Sequence, residues 1–136
     1  MKLFISCLFI FFLIFNLAPN QANAKTEELP ECVVITHCVK ENLRVKDLNK
    51  AFIKAKRIVS NTPRTKIVEQ TNSYIHAEAQ TKWRRYTDDL LLMAIPQKGI
   101  IQIRSESRVG IGDNGVNKRR VDDFAYRLMI ETNDVS

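Results

Sequence analysis

Residues 100–128 read I-I-Q-I-R-S-E-S-R-V-G-I-G-D-N-G-V-N-K-R-R-V-D-D-F-A-Y-R-L, and the fold turns on this stretch. From Ile100 to Val109 apolar and polar residues alternate, the period of a strand with one face buried. A glycine turn follows. Beyond it Val121, Phe124, Ala125, Leu128 and Met129 recur at helical spacing, which predicts a helix beginning near Asp113 or Asn114 with one apolar face.

Working upstream, three further β-like runs stand at Arg84 to Ala94, Ser73 to Ala79 and Thr65 to Glu69. Thr71-Asn72 and Pro96-Gln97-Lys98-Gly99 are turn chemistry between runs, which implies antiparallel neighbours. Before them Leu48, Ala51, Phe52, Ala55, Ile58 and Val59 predict a helix, capped by Asp47 and closed at Asn61-Thr62-Pro63. The expected architecture is α+β: a four-stranded antiparallel meander sheet with two helices packed on one face, gaining a fifth strand if Val33 to Thr36 is extended.

The connection at Pro96 to Gly99 pairs residues whose numbers sum to 195. Leu92 then faces Ile103, Leu90 faces Ser105 and Asp88 faces Ser107 on the core side. The opposite face sets Asp89 against Glu106, with Arg104 and Arg108 as diagonal neighbours and counter-charges. Two arginines neutralising two acids on a solvated sheet is one reading of that face. The others are a protein-contact surface and an anion site, because a guanidinium fork suits carboxylate, sulfate or phosphate. The expected ligand-binding set is His76, Glu78, Asp88, Asp89, Arg104, Ser105, Ser107, Arg108, Asp113, Asn117 and Arg120.

Gly110-Ile111-Gly112-Asp113-Asn114-Gly115 spells G-x-G-x-x-G between a strand and a helix. A dinucleotide fold also needs a second parallel strand carrying an acid, and only 21 residues follow Gly115. The glycines are therefore read as permitting positive backbone angles, with helix amides offered to a small anion. Ser105 or Ser107 with His76 and Asp88 spells a catalytic triad on paper, but no nucleophile-elbow sequence accompanies it. No catalytic residue, metal or cofactor is assigned.

The 136-residue chain opens with Lys2, an apolar run from Leu3 to Phe15 and Ala22-Asn23-Ala24, a secretory pattern that places cleavage before Lys25. Of 21 basic and 15 acidic residues only Lys2 would be lost, leaving 112 residues with formal charge +5, enough for one domain. The expected division is a leader at 1–24, a flexible tail at 25–31, a domain at 32–130 and a frayed tail at 131–136. Export argues against nucleic acid and for an anionic small molecule or envelope component as partner, with no membrane span after cleavage. The expected location is the periplasm, or the thylakoid lumen in a photosynthetic host.

Cys32 and Cys38 suit a disulfide in an oxidising compartment. The β-branched residues between them favour a strand, however, which would hold the α-carbons about 20 Å apart. Both readings stand, and a zinc site from Cys32, His37, Cys38 and His76 is the third, short of a recognised ligand spacing.

Tyr74-Ile75-His76-Ala77-Glu78, Tyr86-Thr87-Asp88-Asp89 and Arg104-Ser105-Glu106-Ser107-Arg108, followed by Gly110, Asp113, Gly115, Asn117, Arg119 and Arg120, resemble domain of unknown function family 1499, a group of exported bacterial and plastid proteins. The likeness runs from Cys32 to Leu128. It implies one domain without implying an activity. Family members carry C-P-x-x-P-N-C where this chain has Cys32-Val33-Val34-Ile35-Thr36-His37-Cys38, so the resemblance implies a disulfide-closed loop that here lacks its prolines. The function expected from all this is a non-catalytic exported domain binding an anion through an arginine-bearing sheet face. The alternatives are a hydrolase using His76 and Asp88 or Asp89, and an envelope structural or assembly factor.

Overall fold

A computed structural model describes residues 28–110 and 112–133. The leader, the Lys25 start and residues 134–136 lie outside them. Five strands and two helices run in the order β1 (Cys38–Arg44), α1 (Leu48–Ser60), β2 (Thr65–Gln70), β3 (Tyr74–Gln80), β4 (Thr87–Ile95), β5 (Ile100–Ser107) and α2 (Val116–Asn133). All neighbours pair antiparallel in the order β1-β5-β4-β3-β2. The fold is α+β, with both helices on one face of the sheet.

The expected β4–β5 register holds: Asp88 faces Ser107, Leu90 faces Ser105 and Leu92 faces Ile103. One 3-10 turn at Pro96–Lys98 makes the connection, and Gly99 closes it in the left-handed region at φ 62°, where a side chain would be strained. Alternation does the rest. Ile75, Ala77, Leu90, Leu92, Ile101 and Ile103 line the buried face, and α1 lays Ala51, Phe52, Ala55, Ile58 and Val59 on it. Asp47 caps α1 by accepting the Lys50 amide at 3.0 Å, and Asn61 ends it. Helix α2 adds Val121, Phe124 and Leu128.

Four expectations need correcting. The fifth strand is Cys38–Arg44 rather than Val33 to Thr36, because the latter segment turns as a loop. Strand β4 starts at Thr87, so residues 81–86 form a loop in which Arg85 takes φ 54°. Residues 28–31 are not a loose tail: Leu29 is 3% exposed, its amide donates to Gln102 Oε1 at 2.8 Å, and Lys40 Nζ donates to its carbonyl at 2.7 Å. That segment straps the sheet face opposite the helices. Finally, α2 continues through Glu131 to Asn133, the first half of the expected frayed tail.

Cys32 and Cys38 form a disulfide with α-carbons 5.6 Å apart. The intervening residues turn rather than extend, which removes the geometric objection and takes both thiols out of any zinc site. The bridge ties the strap to the first residue of β1.

Candidate functional site

The expected ligand set falls on two opposite faces of the sheet, because side chains alternate along each strand. His76, Glu78, Asp89, Arg104 and Arg108 lie on the face away from the helices. Asp88, Ser105 and Ser107 lie on the helix face, where Asn117 and Arg120 reach them from α2. These are two separate clusters.

On the outer face Arg104 and Arg108 each hold a carboxylate. Arg108 holds Asp89 with two hydrogen bonds, of 3.0 and 2.7 Å, and Glu78 with a third at 2.7 Å. Arg104 is not paired with Asp89, as expected from the sequence, but with Glu106 at 2.7 Å, two residues along its own strand. His76 Nε2 stands 2.7 Å from Asp89 Oδ1. The Arg108 hydrogen bonds hold the Asp89 carboxyl below its ordinary value, against partial desolvation and with help from His76. Those same contacts push the Arg108 guanidinium further up. Asp89 and Glu78 occupy the Arg108 fork, whereas Arg104 is buried, gives Glu106 one hydrogen bond and leaves its Nε without a partner among the described residues.

The catalytic-triad arrangement does not form. His76 faces away from the helices, while Ser105, Ser107 and Asp88 face them across the thickness of the sheet. On the sheet His76 is flanked by Glu69 and Leu91. Neither offers a nucleophilic hydroxyl or thiol.

The helix-face cluster is a buried hydrogen-bonded hub around Asn117. Its amide nitrogen donates to the His37 carbonyl and to Ser107 Oγ, both at 2.9 Å. Its carbonyl oxygen accepts from Ser105 Oγ at 2.5 Å and from Arg120 Nη1 at 2.7 Å. Arg120 also donates to Ser105 Oγ at 2.9 Å and to Asp88 Oδ2 at 2.8 Å. Asp88 is 0% exposed, and among the described residues its Oδ1 has no hydrogen-bond partner.

The turn before α2 is organised from within. Gly110 takes φ 90° and Gly115 φ 73°, and the Gly110 carbonyl accepts from His37 Nδ1 at 2.7 Å. Asp113 accepts the amides of Gly115 at 2.9 Å and Asn117 at 2.6 Å. Burial alone would raise the Asp113 carboxyl, but these amide hydrogen bonds outweigh it and hold it low. The amides expected to greet a small anion already have an acceptor.

Between that turn, the loop 81–86 and the start of α2 lies a cleft of about 940 Å³. Asp88, Ser107 and Arg120 contribute to its lining from the hub, and Arg64, Lys82, Arg84 and Arg119 bring positive charge. Arg64 donates to the Gln80 carbonyl, Arg84 to the Tyr86 hydroxyl and Arg119 to the Asn114 carbonyl. Lys82 stands over the Trp83 ring. Among the described residues none of these four cations pairs with a carboxylate. Of the expected site residues the cleft gathers Asp88, Ser107, Asp113 and Arg120. Lys82-Trp83-Arg84-Arg85-Tyr86, a basic and aromatic run plain in the sequence, was the available signal for the rest; reading it as the start of a strand hid it.

No curated protein matches the chain. The family model described as protein of unknown function, DUF1499, matches residues 18–128, which take in the whole sheet, α1, the cleft-lining turn and most of α2. With most of its length so matched, the chain belongs to the DUF1499 family.

Proposed function

We propose that the domain is a non-catalytic binding module whose anionic ligand sits in the cleft beside the start of α2. The observation that supports this is the charge balance of the cleft wall. Five basic side chains face two acids there, Asp88 and Asp113; one acid is held by Arg120 and the other by backbone amides. Four cations are left without a counter-charge on a concave surface, an arrangement that attracts an anion and raises its local concentration. The arginine-bearing site therefore moves from the outer sheet face to the helix side. A hydrolase built on His76 has less support, since that side chain faces away from every serine of the hub.

Calorimetric titration of the full chain with inorganic polyphosphate tests this. Arg64→Glu with Arg119→Glu should weaken binding about tenfold per reversed charge, while the thermal midpoint hardly moves. A wild-type chain that binds no anion would remove the proposal and favour the envelope assembly role. An exported location is part of the same reading, supported by the leader-like residues 1–24 and by a disulfide, a bond that persists in oxidising compartments. Mass determination from the producing cell should give a chain starting at Lys25; a full-length mass would reject export with cleavage.

A further inference from the structure

The anion-binding reading says nothing about the rest of the ligand, but three features of the same cleft narrow its chemistry. The first is the unpartnered oxygen of Asp88. Its Oδ2 accepts from Arg120, whereas Oδ1 is buried with no donor among the described residues, a condition that native structures resolve with a hydrogen bond from somewhere. Asp88 contributes to the cleft wall but its Oδ1 is covered, so a ligand hydroxyl supplies the donor only where the wall yields to admit it.

The second feature is aromatic. Trp83 is 87% exposed at the rim and Tyr86 is 45% exposed beside it. Lys82 Nζ sits 5.3 Å from the centroid of the indole ring, which covers one face with a cation. The opposite face suits a flat apolar surface stacked from one side.

The third feature is the spread of charge. Arg64 precedes β2, Lys82 and Arg84 belong to the loop between β3 and β4, and Arg119 belongs to α2. One compact anion would leave most of these cations unused. A chain with charges at intervals would engage several.

Resting on the anion-binding reading, we propose that the cleft takes an acidic saccharide: carboxylates against the rim cations, the C–H face of a sugar ring on Trp83, and a hydroxyl donating to Asp88 Oδ1. Each group then meets the chemistry it requires. Asp88 and Trp83 become the specificity-determining residues, and the four cations supply general attraction.

Trp83 is the sole tryptophan of the chain, so its emission reports directly on the site. The full chain would be titrated with an oligogalacturonate, the same oligomer with its hydroxyls methylated, inorganic polyphosphate of matched charge, and adenosine monophosphate. The oligogalacturonate is expected to shift Trp83 emission and to bind about tenfold tighter than the methylated oligomer or polyphosphate. By calorimetry Trp83→Ala, a change at an exposed position that leaves the core alone, should lose a similar factor for the saccharide and almost nothing for polyphosphate. Equal binding of all the polyanions, with no effect of Trp83→Ala, overturns the saccharide and leaves the anion site standing. A nucleotide that binds most tightly overturns it in favour of a different hydroxylated anion. If no anion binds, the cleft reading itself fails and the saccharide falls with it.

Discussion

Arg120 and Arg108 carry the same group and face opposite circumstances. Arg120 is largely covered and holds Asp88 in the interior, so Arg120→Ala should cost about 3–5 kcal/mol by stranding a buried carboxylate. Replacing both partners with apolar residues, as in Asp88→Leu with Arg120→Met, should recover much of that loss in chemical denaturation. If the double variant is as unstable as the sum of the singles, the two residues are not coupled. Arg108 works at the surface and acts through the protonation of Asp89. Because the folded Asp89 carboxyl is held low, the unfolded chain takes up its proton at higher pH than the folded one does. The stabilisation is therefore complete above the ordinary aspartate value of about 4 and is lost as pH falls through the lower folded value. Calorimetric melting of Asp89→Asn across that acidic range should show a shallower pH dependence than wild type; an unchanged slope would mean Asp89 is not the titrating group.

Among the elements, the Cys32–Cys38 loop links the two faces of the sheet. It fastens the strap that buries Leu29 and Gln102, and it presents His37, whose carbonyl meets Asn117 and whose ring meets the Gly110 carbonyl at the cleft. Closing so short a loop should contribute about 2 kcal/mol through the unfolded chain. Cys32→Ser with Cys38→Ser should lower stability by that amount in denaturant titration. Anion affinity should fall as well, because the glycine turn loses a fixed neighbour. Stability falling while affinity stays intact would separate the strap from the cleft. One of the elements was easy to read in advance and another was not. Helix α1 showed its apolar spacing and both ends in the sequence. Strand β1, Cys38–Arg44, mixes Lys40, Glu41 and Asn42 with its apolar residues and imitates a loop, since it is covered on one side by α2 and on the other partly by the strap.

At the scale of the whole molecule, one sheet separates a face on which Arg104 and Arg108 hold acids from a cleft in which, among the described residues, four cations pair with no carboxylate. Raising ionic strength should therefore weaken anion binding steeply, by screening the exposed rim, while the buried Asp88–Arg120 pair and the thermal midpoint change little. A parallel collapse of both with salt would place the electrostatics in the fold rather than in the ligand site. Alternation along Ile100 to Ser107, the turn at Pro96 to Gly99 and the apolar spacing of both helices were enough by themselves to establish the α+β class, the β4–β5 register and the core face. Those features depend on local periodicity and turn chemistry, which neighbours in the chain carry in full. The partners followed only in part: Arg108 took Asp89 as the register implied, and other choices waited on the fold. Arg104 turned to Glu106 in place of Asp89, and Cys32 met Cys38 because a β-branched run bent instead of extending. The cleft likewise exists only where the β3–β4 loop, the Gly110–Gly115 turn and α2 converge. Such choices are settled by distances between segments far apart in sequence, and only the packed chain brings those segments together.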